Sequence, residues 1–240
     1  MSDEREKLEL EAAELVAALE NEDLDGFRSM FLEQHPYDQA KIFVKLEQEE
    51  RMKLYHYLSP EEMAALFENI EDEEYNYEMY LSEMDPRFAS QMLEHMYADD
   101  AVDVLNELNK DQVASYLTIM DDEAAQEIRE LLHYEEFTAG SIMTTEFIAI
   151  LANQTVKSAM HILKHEAPDA ETIYYLYVID EDKHLVGVIS LRDLIVSDDD
   201  LMIGEIMSER VFSVSVGEDQ EDVAHEQHAV TTLHIAAHAL

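Results

Sequence analysis

From near the N-terminus to about Tyr134 the apolar residues recur three and four apart. Ile42, Phe43, Leu46, Leu54 and Leu58 form one such series, and Met92, Leu93, Met96, Leu105 and Leu108 another. This spacing places them on one face of successive helices, and the scarcity of Gly and Pro leaves those helices uninterrupted. Helix starts are marked as well. Ser59-Pro60-Glu61-Glu62 sets an N-cap Ser, a Pro at the first helical position and a Glu three residues after the cap, which is the pattern of a capping box. Asn109-Lys110-Asp111-Gln112 is its counterpart. Tyr55, Tyr57, Tyr75, Tyr77 and Tyr80 read as packing residues of this helical region.

The two capped segments lie 50 residues apart, and the offset extends beyond them. Pro36 matches Pro86, Leu46 matches Met96, Leu58 matches Leu108, Ala64 matches Ala114, Phe67 matches Leu117, and Glu71-Asp72 matches Asp121-Asp122. Two copies of a multi-helix unit, stacked as a short α-solenoid, account for the pattern.

After Thr138 the period changes. Phe147-Ile148-Ala149-Ile150-Leu151 is a short apolar run, followed by a helical stretch from about Thr155 to His165. The β-formers of Thr172 to Ile179, a polar turn Asp180-Glu181-Asp182-Lys183-His184, and Leu185-Val186-Gly187-Val188-Ile189 then predict a β-hairpin. Leu191 to Val196 opens a further helix, giving the order β-α-β-β-α. A second internal repeat, offset by 64 residues, sits here. Ser141-Ile142-Met143-Thr144 matches Glu205-Ile206-Met207-Ser208, Phe147 matches Val211, Gln154 matches Glu218 and Ala159 matches Val223. A second β-α-β-β-α unit therefore begins near Ile206, without a visible completion.

Charge narrows the partners. There are 56 Asp and Glu against 15 Lys and Arg, a formal net charge of −41. Phosphate backbones and anionic lipid would be repelled, so nucleic acid is not an expected partner; cations or a basic protein surface are. Self-repulsion on this scale makes the compact state sensitive to cation concentration. A hydrophobic fraction of 47% is enough for packed cores. The absence of cysteine excludes disulfides, thiolate metal sites and a Cys nucleophile, and fits a cytoplasmic setting. The charged N-terminus lacks an apolar signal core, and no run reaches the roughly 18–20 apolar residues that span a bilayer. No Gly-rich phosphate loop or activated Ser appears, so the chain does not read as an enzyme.

The unit that opens Ile-Met and ends Gly187-Val188-Ile189-Ser190-Leu191-Arg192-Asp193 resembles the CBS domain, which ordinarily occurs in tandem pairs. Ala167-Pro168-Asp169-Ala170-Glu171-Thr172-Ile173-Tyr174-Tyr175 and Ser190-Leu191-Arg192-Asp193-Leu194-Ile195-Val196 resemble the MgtE family of magnesium transporters more specifically. The joining segment does too, with Tyr134-Glu135-Glu136, Ala139-Gly140 and Met143-Thr144. The resemblance covers roughly residues 20–224. It implies a multi-domain chain: an all-α superhelical N domain over 1–134, a first α/β CBS domain over 135–200, and a partial or atypical second CBS domain over 201–240. The last sixteen residues, from His225, depart from the family pattern, and no second Gly-x-x-Ser/Thr-x-x-Asp follows. The expectation is a soluble region on the cytoplasmic side of the cell membrane, a homodimer through CBS domains, with the transmembrane pore of the full-length protein as its target.

Asp99 and Asp103 lie four apart on a helix, hence on one face. Spacing alone reads as a solvated acidic face; the resemblance implies Mg²⁺ held at the domain boundary, and Mg²⁺ needs only one or two carboxylates beside its waters. The resemblance carries Glu221 and, more weakly, Asp219 over as further Mg²⁺ candidates, though acids at a helix start are also explained by the helix dipole. Glu68, Asp198, Asp199 and Asp200 are acidic without a distinguishing context. Ser190 and Asp193 suit an N-cap pair. In the CBS resemblance Asp193 would accept ribose hydroxyls of ATP or another adenine nucleotide, with Tyr175 and Arg192 at base or phosphate. His225, His228, His234 and His238 match no compact metal site. The expected mechanism is Mg²⁺-driven compaction of repelling acidic domains, which in the full-length protein closes the pore. A nucleotide-sensing CBS module, or a helical adaptor for a basic partner, are the alternatives.

Overall fold

The computed structural model describes residues 14–70, 76–168, 170–229 and 235–238, with backbone alone from residue 225 onward. Tyr75, Glu71-Asp72, Asp169 and the side chains of the tail histidines lie outside the described residues. The chain divides into two compact units, one of Met1–Met96 with Asp100–Gln126 and one of Tyr97–Asp99 with Glu127–Leu240.

The first unit is helical. After the described part of α1 (residues 14–20) come α2 (Leu24–Leu32), α3 (Pro36–Phe43), α4 (Gln48–Tyr57), α5 (Pro60–Phe67), α6 (Tyr77–Glu83), α7 (Pro86–His95), α8 (Ala98–Asn106), α9 (Lys110–Ile119) and α10 (Asp122–Leu131). The repeat is visible in the helix starts: those at 36, 48 and 60 recur at 86, 98 and 110. Both expected capping boxes form. Ser59 Oγ accepts the Glu62 N–H while Glu62 Oε2 accepts the Ser59 N–H, and Asn109 and Gln112 exchange the same bonds. Equivalent positions mostly share burial, as Leu46 with Met96 and Phe67 with Leu117. Ala64 and Ala114 differ, the first buried and the second exposed. The reason is position: α5 packs against both α3 and α7, whereas α9 has α7 as its principal neighbour.

Phe43 centres this core, its ring within 6.2 Å of those of Tyr55, Phe67 and Tyr80. Tyr57 meets Phe27 edge-on and Tyr77 meets Phe67. The described tyrosines thus pack as expected. One buried ionic network was not legible in the sequence. Arg51 donates from Nε and Nη2 to the two carboxylate oxygens of Glu83, at 2.9 and 2.6 Å, and Tyr55 donates its hydroxyl to Glu83 Oε2 at 2.8 Å. The two charged side chains are only 8% and 3% exposed.

In the second unit a 3-10 turn (Ala139–Ile142) leads to β1 (Ala149–Leu151), α11 (Val156–Glu166), β2 (Tyr175–Ile179), β3 (Leu185–Ser190) and α12 (Leu191–Val196), the predicted order. β1 pairs parallel with β2 across the α11 crossover, and β2 pairs antiparallel with β3. Ile148, Ile150, Val156, Ala159, Leu163, Leu176, Val178, Ile189, Leu194 and Ile203 form its core. The strands begin later than the apolar runs, leaving Phe147 and Tyr174 outside them and exposed to solvent. The chain continues through α13 (Ile203–Ile206), β4 (Phe212–Ser215), α14 (Gln220–Ala229) and β5 (Ile235–His238). β4 and β5 pair in parallel, so the crossover β1-α11-β2 recurs as β4-α14-β5. The starts at 139 and 156 recur at 203 and 220, the offset read from the sequence. No helix among the described residues is long and apolar enough to cross a membrane.

Candidate functional site

Asp99 and Asp103 sit one turn apart on α8, as their spacing requires. Their surroundings are not those of a freely solvated face. Asp99 is half-buried, and its Oδ1 is closed off from solvent. Asp103 reaches solvent, yet the protein packed around its carboxyl disfavours the charged form and raises its pKa. The Tyr77 hydroxyl lies in the field of the same helix. Burial first, and then the carboxylates of Asp100, Asp103 and Glu107, push it up to about 12. Sequence reading gave Tyr77 a packing role, which it has; its place beside three carboxylates had no local signal, since they lie in a different helix. Carboxylates are hard oxygen donors, the ligand type that a hydrated Mg²⁺ accepts.

The turn carrying Asp99 has a distant partner. Glu146 Oε1 accepts the Ala98 N–H at 3.0 Å, while its Oε2 accepts from Thr144 Oγ1 and from the Thr145 N–H, both at 3.1 Å. All four residues belong to the second unit.

Asp219 and Glu221 are both exposed at the start of α14. Asp219 Oδ1 accepts the Glu221 N–H at 2.8 Å, and the Asp219 carbonyl accepts the Val223 N–H. Asp219 therefore caps its helix. Around it, Ala139 donates to the Glu218 carbonyl, Gly140 to that of Val216 and Gln220 to that of Phe137. These bonds tie the joining segment to the second repeat. Gly140 is needed there, because a Cβ would come 2.7 Å from the Tyr134 ring.

The structure brings Tyr175, Ser190 and Asp193 together. Tyr175 and Ser190 are register partners on β2 and β3. Ser190 Oγ donates to Asp193 Oδ2 at 2.6 Å and accepts the Asp193 N–H at 3.1 Å, the N-cap of α12. Tyr175, Arg192 and Asp193 are exposed.

Among the described residues, Asp180, Asp182 and His184 offer metal-ligand atoms within 4.8 Å of one another. These hold the hairpin turn, where Asp180 accepts the N–H groups of Asp182 and His184 and faces His184 Nδ1. The His184 N–H foremost lowers the Asp180 pKa. An open groove beside α11, bordered by Lys157, His161, Lys164 and Asp199, contains none of the sequence-predicted site residues.

Comparison with known proteins bears on both units. Residues 34–137 match the MgtE intracellular N domain and residues 139–200 the CBS domain. The magnesium transporter MgtE of Enterococcus faecalis is 54% identical over 221 residues, 92% of this chain and 49% of that protein. MgtE of Thermus thermophilus is 36% identical, over 89% of this chain and 48% of that protein. The chain thus spans about half the length of the curated relatives it matches. The crystal structure of the soluble part of a magnesium transporter superposes with a TM-score of 0.90 at 51% identity, over 96% of this chain and 91% of that one. That of the cytosolic domain of the Mg²⁺ channel MgtE in complex with ATP gives 0.82 at 33% identity, over 94% and 92%. With a repeated helical unit followed by a β-α-β-β-α unit, and with these likenesses over nearly its whole length, the chain belongs to the MgtE family of magnesium transporters.

Proposed function

We propose that this chain is the cytosolic magnesium-sensing region of an MgtE-type magnesium transporter or channel. In this reading it comprises an N domain over 1–134, a first CBS domain over 135–200 and a partial or atypical second one over 201–240. It regulates and does not catalyse. Asp99 and Asp103 are its principal Mg²⁺ ligands, and Glu221 and Asp219 contribute more weakly. The observation that carries this assignment is the half-buried Asp99, its Oδ1 closed off from solvent, one turn from Asp103 on α8. Such a pair gains more from a bound cation than a solvated acidic face does.

The mechanism follows from charge. With 56 acidic residues in the chain, the uncompensated state is driven apart. Mg²⁺ at carboxylate clusters offsets that repulsion and favours a compact arrangement. A ligand shifts such an equilibrium only through its differential affinity for the two states, so several weak sites give a graded response. In a full-length homodimer this compaction closes the transmembrane pore when Mg²⁺ is plentiful.

Changing Asp99 and Asp103 together to Asn tests the assignment. The expected result is a compaction midpoint, followed by small-angle scattering, displaced to higher Mg²⁺, because a neutral amide is a poorer ligand for a hard cation. An unchanged midpoint removes these residues from the sensor and makes Glu221 the next to examine.

A second reading, adenine-nucleotide sensing, is favoured by one observation: a 33% identical neighbour is a complex with ATP. Here Tyr175, Ser190, Arg192 and Asp193 would hold ATP. Asp193→Ala should then weaken ATP binding by calorimetry and leave Mg²⁺ compaction intact. A chain that binds no ATP at all ends this reading without touching the first.

A further inference from the structure

We infer that Glu146 is a positioning residue for the metal site, setting the first turn of α8 and through it the carboxylate of Asp99. The inference rests on the proposed role of Asp99 and Asp103 in binding Mg²⁺.

The first turn of a helix leaves backbone N–H groups without intrahelical acceptors. Several of the described helices take an acceptor from the residue just ahead. Asp23, Ser59, Asn76, Asp85 and Asn109 each do so. Ahead of α8 stand Met96 and Tyr97, residue types that do not cap. The acceptor comes instead from 48 residues along the chain, where Glu146 Oε1 takes the Ala98 N–H at 3.0 Å. Ala98 is buried, 4% exposed, so water is a poor substitute. The carboxylate itself is held in place. Thr144 Oγ1 and the Thr145 N–H occupy Oε2, the Glu146 N–H returns to Thr144 Oγ1 at 3.2 Å, and the Glu146 carbonyl accepts the Glu171 N–H at 3.0 Å. A side chain fixed at one oxygen presents the other in a set direction. Asp99 follows Ala98 directly, so the position of its carboxylate is set by the same bond. Residues outside the ligand set that orient ligands commonly alter metal affinity roughly 10–100-fold.

The test uses the 240-residue chain, with two readouts: the Mg²⁺ midpoint by calorimetry and the exchange rate of the Ala98 amide by NMR. Glu146→Ala should speed Ala98 exchange and raise the midpoint roughly tenfold. Glu146→Gln keeps an oxygen for the Ala98 N–H but sets its NH₂ group against the Thr145 N–H, so both readouts should fall between those of the parent and of Glu146→Ala. In the Asp99→Asn, Asp103→Asn background, Glu146→Ala should add no further shift. Should Glu146→Ala fail to fold, Glu146→Asp draws the acceptor back by one methylene and takes its place. An unaltered midpoint in Glu146→Ala overturns the inference. So does a Glu146→Gln chain that loses Mg²⁺ affinity while Ala98 stays protected, because Glu146 would then be a ligand by its charge. An undiminished Glu146→Ala effect in the double-Asn background overturns it as well. If the double-Asn chain binds Mg²⁺ like the parent, the metal-site reading itself fails and this inference falls with it.

Discussion

Gly187 and Met207 meet so closely that a Cβ on Gly187 would lie 2.6 Å from the Met207 sulfur and 3.0 Å from the Ser208 carbonyl oxygen. These residues head the two motifs read from the sequence, the Gly-x-x-Ser-x-x-Asp ending of the first CBS unit and the Ile-Met opening of the next. The approach is fixed by backbone: Val188 and Ser208 exchange N–H···O bonds at 3.0 and 2.8 Å. The two motifs are thus two sides of one contact.

Gly187→Ala should therefore destabilise the second unit by about 1–3 kcal/mol, the usual cost of overpacking. The sulfur can move but the carbonyl cannot, so adding Met207→Ala should recover part of the loss and no more. Urea denaturation of both single variants and the double variant checks this. Full additivity would show that the two side chains do not compete for the same space.

The Arg51–Glu83–Tyr55 network should behave as a buried pair. Glu83→Ala leaves the Arg51 guanidinium buried without its anion, and should cost about 3–5 kcal/mol. Replacing Arg51 with Met and Glu83 with Leu together should cost much less, since it removes both desolvation penalties. Equal losses in the single and double variants would mean that packing of α4 against α6, not charge, dominates.

Why these features differ in legibility is physical. The helical repeat was readable because caps and apolar spacing are local, and Ser59 with Glu62 or Asn109 with Gln112 complete their bonds within four residues. The hairpin and the α11 crossover were readable for the same reason. Arg51 with Glu83, and Ala98 with Glu146, are joined only by the tertiary fold, and neither partner is unusual among so many charged residues. The acids of α8 are singled out by the family resemblance, since their spacing alone reads as a solvated face. The desolvation of Asp103 depends on neighbours that spacing does not reveal. The β4–β5 pairing was also beyond reach, since the residues from His225 follow no family pattern.

Asp103 should leave a pH signature. Its folded-state pKa is raised by desolvation, so it binds its proton more tightly folded than unfolded. Well below the ordinary aspartate value of about 3.9 it is protonated in both states and contributes nothing. As pH rises through that value and past the higher folded one, holding the charge destabilises the native state, fully so at neutral pH. Asp103→Asn should therefore stabilise the metal-free chain at neutral pH and have little effect in acid. The same substitution should reduce the gain on adding Mg²⁺. Chemical denaturation at the two pH values, with and without Mg²⁺, measures all four quantities. A stabilisation equal at both pH values would assign the effect to helix propensity.

Mg²⁺ should stabilise the chain beyond its contribution to ionic strength. With a net charge of −41, any salt screens self-repulsion and raises the melting temperature. Site binding adds a separate contribution by mass action, about 1.4 kcal/mol at a tenfold excess over the dissociation constant. The two separate cleanly against a background near 0.15 M monovalent salt, where the screening length is already about 8 Å. Further NaCl should then move the melting temperature little. MgCl₂ at matched ionic strength should raise it, with a saturating dependence on concentration. The Asp99→Asn, Asp103→Asn chain should keep the NaCl response and lose most of the excess due to Mg²⁺. Superimposable NaCl and MgCl₂ curves for the unmodified chain would reduce the magnesium effect to screening. A full Mg²⁺ excess in the double variant would move the binding carboxylates elsewhere, to Asp219 and Glu221 at the start of α14.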